Sequence, residues 1–167
     1  ATGSPLVLDV ADSILNLTDN GTISGPVKLE SGTLKSTGSP TVSGALTQHY
    51  DATIEVSTNQ TLTYSGAPFS LGANTLTLTG GGTLVSGGLD LNNADSKLLL
   101  NSITVDNVST TVDNSLGVDV DNDSTITSLS VANITPVAIA SGSSLSGGIT
   151  VTAGSLNLSE AGTLAST

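Results

Sequence analysis

The sequence predicts an all-β fold: one parallel β-helix of about eight three-strand coils, each of about 20 residues. Three observations predict it. A triplet of a hydroxyl residue, an aliphatic residue and usually another hydroxyl residue recurs through the chain, at Thr22-Ile23-Ser24, Thr41-Val42-Ser43, Thr61-Leu62-Thr63, Thr83-Leu84-Val85, Ser102-Ile103-Thr104, Thr125-Ile126-Thr127, Ser144-Leu145-Ser146 and Thr163-Leu164-Ala165. Its spacings are 19, 20, 22, 19, 23, 19 and 19 residues. Two further families of alternating aliphatic residues keep the same period, and no 3.6-residue helical pattern competes with them.

Taken in order around a coil, the first strand family has inward candidates Leu6/Leu8, Val27/Leu29, Leu46, Phe69/Leu71, Leu89/Leu91, Val112, Leu129/Val131 and Ile149/Val151. The second has Leu15/Leu17, Leu34, Ile54/Val56, Leu76/Leu78, Leu98/Leu100, Val118/Val120, Val137/Ile139 and Leu156/Leu158. Between its apolar pairs runs one outward column: Asn16, Lys35, Glu55, Thr77, Leu99, Asp119, Ala138 and Asn157. The triplets form the third family. Pro26, Pro40, Pro68 and Pro136 each stand just before a strand, where a missing N–H is tolerated. Gly80-Gly81-Gly82, Gly87-Gly88 and Gly147-Gly148 mark corners, as do Asn92-Asn93, Asp106-Asn107 and Asp113-Asn114. Such varied corners favour the right-handed form over the left-handed one, whose coils keep a six-residue rhythm and about eighteen residues. Residues 1–167 make one domain, with 1–5 read as an N-terminal extension that contacts a neighbouring subunit.

Composition agrees with stacked aliphatic layers. The 167 residues are 37% hydrophobic but only 2% aromatic, so narrow Leu/Val/Ile layers can form where a broad globular core cannot. A net charge of -11, with Lys28, Lys35 and Lys97 as the only cations, excludes nucleic acid and an anionic membrane surface as partners. No run reaches the roughly 18 apolar residues of a membrane span. There is no cysteine, hence neither a disulfide nor thiol chemistry.

The stretch Leu71-Gly-Ala-Asn-Thr-Leu-Thr-Leu-Thr-Gly-Gly-Gly-Thr-Leu-Val-Ser-Gly-Gly88 resembles passenger repeats of bacterial autotransporters and related β-helical adhesins, and Ser155-Leu-Asn-Leu-Ser-Glu-Ala-Gly-Thr-Leu164 is similar. The resemblance implies an extracellular or cell-surface protein with a structural or adhesive role. The membrane barrel of an autotransporter is missing from the sequence, so secretion by that route is not expected.

Asp119, Asp121 and Asp123 are the metal candidates, because calcium takes several oxygen ligands from a loop. Val118 and Val120 point inward, however, which sets Asp119 and Asp121 on a solvated face; a solvated acidic corner is the expectation, with calcium as the alternative. His49 lies in a corner beside Tyr50 and Asp51, with no nucleophile that the sequence can place near it. Without arginine or long loops to wall a cleft, the chain is not expected to be an enzyme. Asn16, Asn20, Asn59, Asn107, Asn122, Asn133 and Asn157 each open an Asn-X-Ser/Thr triplet and are the candidates for covalent glycans.

The outward hydroxyls of Thr22, Thr41, Thr61, Thr63, Thr83, Thr104, Thr125, Thr127, Ser144 and Thr163 make a ladder. It forms a grid about 6.7 Å across the strand by about 4.8 Å along the stack. Such a grid resembles the ice-binding face of β-solenoid antifreeze proteins, although Thr also suits any exposed strand. The chain enters on the face that follows the one it leaves, and neither end shows a cap. A second copy is therefore expected to continue the coil, with Leu6, Val7, Leu8, Thr163 and Leu164 at the interface and Gly162–Thr167 pairing with Ala1–Val10. The function expected is that of an extracellular structural subunit of a head-to-tail filament. The alternatives are a segment of a longer adhesin stalk and an ice-binding protein.

Overall fold

A computed structural model describes residues 4–8, 10, 12–113, 116–133, 135–153, 155–158 and 162–165. Among them are 22 strands and no helix. The first coil comprises β1 (Leu6–Leu8), β2 (Ile14–Leu17) and β3 (Thr22–Ile23); the second β4 (Val27–Leu29), β5 (Thr33–Ser36) and β6 (Thr41–Val42). The third comprises β7 (Leu46–Gln48), β8 (Ala52–Val56) and β9 (Thr61–Tyr64); the fourth β10 (Phe69–Ser70), β11 (Thr75–Thr79) and β12 (Thr83–Ser86). The fifth has β13 (Leu89–Leu91), β14 (Lys97–Asn101) and β15 (Thr104–Val105). Then follow β16 (Val108–Thr110), β17 (Gly117–Asp121), β18 (Thr125–Val131), β19 (Pro136–Ile139), β20 (Ser144–Val151), β21 (Ser155–Leu158) and β22 (Thr163–Ala165).

Each strand pairs in parallel with its equivalent one coil away, giving a three-faced β-solenoid. The second face is one 8-stranded sheet in the order β2-β5-β8-β11-β14-β17-β19-β21, so the chain makes about seven turns around eight rungs. With strands about 4.8 Å apart, that stack is about 34 Å long. Aliphatic residues fill most of its inward places: Leu34, Ile54, Leu76, Leu78, Leu98, Val118, Val120, Val137 and Ile139 are all fully buried. Alternation puts the polar residues between them outside.

The register departs from the sequence reading at three places, always by two residues. On the third face Thr41 pairs with Thr63, not Thr61, while Thr61 pairs with Thr83. Further along, Thr83 pairs with Thr104 and Thr104 with Thr125, so the uneven spacings of 19 and 23 become two equal steps. Ser102, read as the start of a triplet, instead takes φ +57° at a corner. On the second face Leu76 stacks on Ala52 and Leu78 on Ile54, which moves Thr79, not Thr77, beside Glu55. A two-residue slip leaves every side chain on its own face, so the core stays apolar at each of these steps.

Val112 is not the inward residue of the first face. Val108 takes that place, between Leu89 and Leu129, and Thr110 follows it inward between Leu91 and Val131. The buried Thr110 hydroxyl is satisfied by the Ala132 N–H at 3.3 Å, which is why a polar residue is tolerated there and why the alternation was misleading. Gly147 and Gly148, read as a corner, lie inside β20. There the third face runs into the first as one strand, with a register irregularity opposite Ile126–Ser128 and φ +81° at Gly147.

The corners are held by side chains that bridge successive coils. Buried Ser124 accepts a hydrogen bond from Ile103 N–H at 3.2 Å, and buried Ser143 accepts one from Ser124 N–H at 3.2 Å. Outside, Asn20 Oδ1 accepts from Ser39 N–H at 2.8 Å, and the Ser39 hydroxyl accepts from Thr61 N–H at 3.1 Å. These bonds continue the backbone ladder where the chain turns and its own amides lose their strand partners.

Candidate functional site

Large apolar side chains are exposed singly between the ends, at Tyr50, Val85 and Leu116, but at the two ends the exposed residues include members of the inward columns. Leu6 is 43% exposed, whereas Val27, its neighbour in the same inward column, is fully buried. At the other end Leu164 is 46% exposed against a fully buried Leu145, and Val151 is exposed against a buried Val131. Val10, between β1 and β2, and Ile14, the outward first residue of β2, are exposed, and Leu6, Leu8 and Leu15 line a shallow recess in the first coil. One side of β1, β2 and β3, and one side of β21 and β22, has no strand beside it among the described residues.

β1 belongs to the first face and β22 to the third, as the phase of the repeat has it, so the expected pairing of Gly162–Thr167 with Ala1–Val10 would set strands of two different faces side by side. A strand like β1 would instead lie beside residues 148–151 of β20, with counterparts of β2 and β3 beside β21 and β22. Residues 1–3, 9, 166 and 167 lie outside the described residues.

The outward hydroxyls form one unbroken column on the third face: Thr61, Thr83, Thr104, Thr125, Ser144 and Thr163. Thr125 Oγ1 and Ser144 Oγ are 2.9 Å apart and share a hydrogen bond. Thr22 and Thr41 belong to the parallel column through Thr63, where the exposed Val85 interrupts the hydroxyls. Thr127 stands two residues along from Thr125 on the same outward face.

The three aspartates do not converge. Asp119 Oδ2 is 2.7 Å from Lys97 Nζ, which also donates to the Leu116 carbonyl oxygen at 2.8 Å. Asp121 is exposed beside Asn101, and Asp123 turns the corner at φ +61°. No group of three His, Asp or Glu side chains is placed to hold a metal ion among the described residues. His49 is exposed; its Nδ1 lies 3.0 Å from Glu30 Oε2 and its ring is 4.7 Å from that of Tyr50.

Asn16, Asn20, Asn59, Asn107 and Asn122 are exposed and Asn133 is half-buried. The Asn157 side chain lies outside the described residues. Several of these amides already bridge coils: Asn16 Oδ1 accepts from the Thr37 hydroxyl, Asn107 Nδ2 donates to the Ser86 carbonyl, and Asn122 Nδ2 donates to Asn101 Oδ1. Comparison with protein families, curated proteins and solved structures found no match.

Sequence reasoning missed the junction of the third and fourth coils, where Tyr64, Gln48 and Asp51 replace regular strand pairing. A signal was present: Tyr64 and Phe69 bring aromatic rings into a core whose other apolar side chains, among the described residues, are aliphatic.

Proposed function

We propose that this chain is a non-enzymatic, extracellular structural protein whose coils continue end to end, copies stacking head to tail into a fibre. The observation that carries this reading is the open core at both ends: Leu6 at one, Val151 and Leu164 at the other, each exposed where its neighbour one coil inward is dry. Continuing the stack sets Leu6 against Ile149 and Leu8 against Val151, while β2 meets β21 and β3 meets β22. Each such contact removes apolar surface from water at roughly 25 cal/mol per Å² and satisfies strand edges that otherwise rely on solvent. The contact is heterologous and does not close, so it builds a filament and not a ring.

Negative-stain microscopy and sedimentation of the concentrated protein test it. Fibres of single-rod width support the reading, and Leu164→Asp is expected to abolish them while leaving the monomer folded, because Leu164 is already half solvated. A monodisperse monomer at high concentration overturns it.

The same open ends also fit a segment of a longer adhesin stalk, in which flanking coils supply the covering strands. A natural polypeptide much longer than 167 residues, by intact mass, favours that reading. The six-coil hydroxyl column favours ice binding as the remaining alternative. Thermal hysteresis that is lost in Thr125→Tyr would support it.

A further inference from the structure

We propose that the rod carries a one-sided hinge between its third and fourth coils, latched shut by the Tyr64 hydroxyl. At regular rungs of the first face, an inward residue donates its N–H to a carbonyl of the next coil: Leu6 to Pro26, Val27 to Ala45, Phe69 to Gly88 and Leu89 to Asn107, at 2.8–2.9 Å. Leu46 breaks the series. Its N–H goes to the Tyr64 hydroxyl at 3.2 Å, and that hydroxyl donates in turn to the Ala67 carbonyl. The phenol is thus interposed between two coils that elsewhere bond directly, and β7 and β10 belong to different sheets.

Neighbouring groups show the same substitution of side chain for backbone. Thr75 N–H donates to Asp51 Oδ1 at 2.7 Å, and Gln48 Nε2 donates to the Thr75 carbonyl at 2.7 Å. Gln48 Oε1 is enclosed without a partner. On the other two faces the ladder is continuous: β8 pairs with β11 and β9 with β12. Opening is therefore confined to one side. The Tyr64 ring is 2% exposed and meets Phe69 edge-on at 6.4 Å, so the hydroxyl is held in place by packing.

A hinge of this kind lets the rod bend by parting one face while two stay paired. Amide hydrogen exchange by NMR on the intact protein and on Tyr64→Phe tests it, since phenylalanine keeps the ring and removes the latch. The Leu46 amide is expected to exchange at least about tenfold faster in the variant. The Thr83 amide, which crosses the same junction on the third face to the Gln60 carbonyl, should change less than about twofold. An unchanged Leu46, or a Thr83 that accelerates equally, overturns the proposal. Should the variant not fold, the unmodified protein decides: Leu46 is expected to be at least about tenfold less protected than Val27 and Leu89, and equal protection overturns the hinge.

Discussion

Gly117 sits at φ +73°, and a Cβ built on it would lie 1.9 Å from the Pro136 carbonyl oxygen of the next coil. Backbone cannot retreat from such a contact as a flexible side chain would. Gly117→Ala is expected to cost about 1–3 kcal/mol in denaturant unfolding, whereas Gly21→Ala, which meets nothing within 4 Å, should stay within about 0.5 kcal/mol. Burial makes a different demand at Ser124. Its hydroxyl accepts the Ile103 N–H inside the wall, so Ser124→Ala strands a buried donor and is expected to lower stability by about 1–3 kcal/mol. Leu34, fully buried in the second coil, should lose about 2–5 kcal/mol on change to Ala, measured the same way. Single residues were unevenly legible: the inward aliphatic residues could be read from alternation, but the inward serines could not. A buried hydroxyl and an exposed one look alike until the amide it satisfies, about twenty residues away, is known.

Strands add constraints that no single position carries. Lys35 and Glu55 face each other across β5 and β8 at 2.7 Å, each side chain about one-third exposed. Such a pair is worth little in water, so Lys35→Ala is expected to cost below about 1 kcal/mol, and the difference should vanish in about 1 M salt. Thr110 shows the limit of pattern reading: because a hydroxyl takes an inward place in β16, the strand did not look apolar and Val112 was the expected core residue. β18 and β20 show another limit, since each carries two faces in one strand and the glycines of β20 make a bulge where a break was expected. Corners that bend a strand and corners that end one differ in backbone hydrogen bonding, not in glycine content.

For the whole molecule, charge and open ends act against each other. Copies that each carry a net charge of -11 repel as they approach, while their exposed end residues favour contact. Screening tips the balance, because the Debye length falls from about 10 Å at 0.1 M to about 3 Å at 1 M. On the proposed head-to-tail stacking, fibre growth followed by light scattering is therefore expected to speed up with added NaCl. Growth that slows with salt would point to attractive charge pairs at the junction instead. The candidate surfaces were readable in outline, since the faces of the terminal strands and the hydroxyl ladder follow from phase and period. Which strands would meet across a junction follows from the same phase, and the expected pairing of Gly162–Thr167 with Ala1–Val10 set a third-face segment against a first-face one.

Alternation in the sequence determined the inward side for most aliphatic residues, and the repeat near twenty residues determined that the strands stack in parallel coils. Neither sets register within a multiple of two. A two-residue slip keeps every inward Leu, Val and Ile inside, so local pattern does not distinguish Thr41 on Thr61 from Thr41 on Thr63. Only the stacked structure decides, through corner lengths and the bonds that span them: Ser39 to Thr61, Asp51 to Thr75, and the Tyr64 hydroxyl between Leu46 and Ala67. Side-chain parity is a property of one strand, whereas register and the hinge it leaves are properties of two coils in contact.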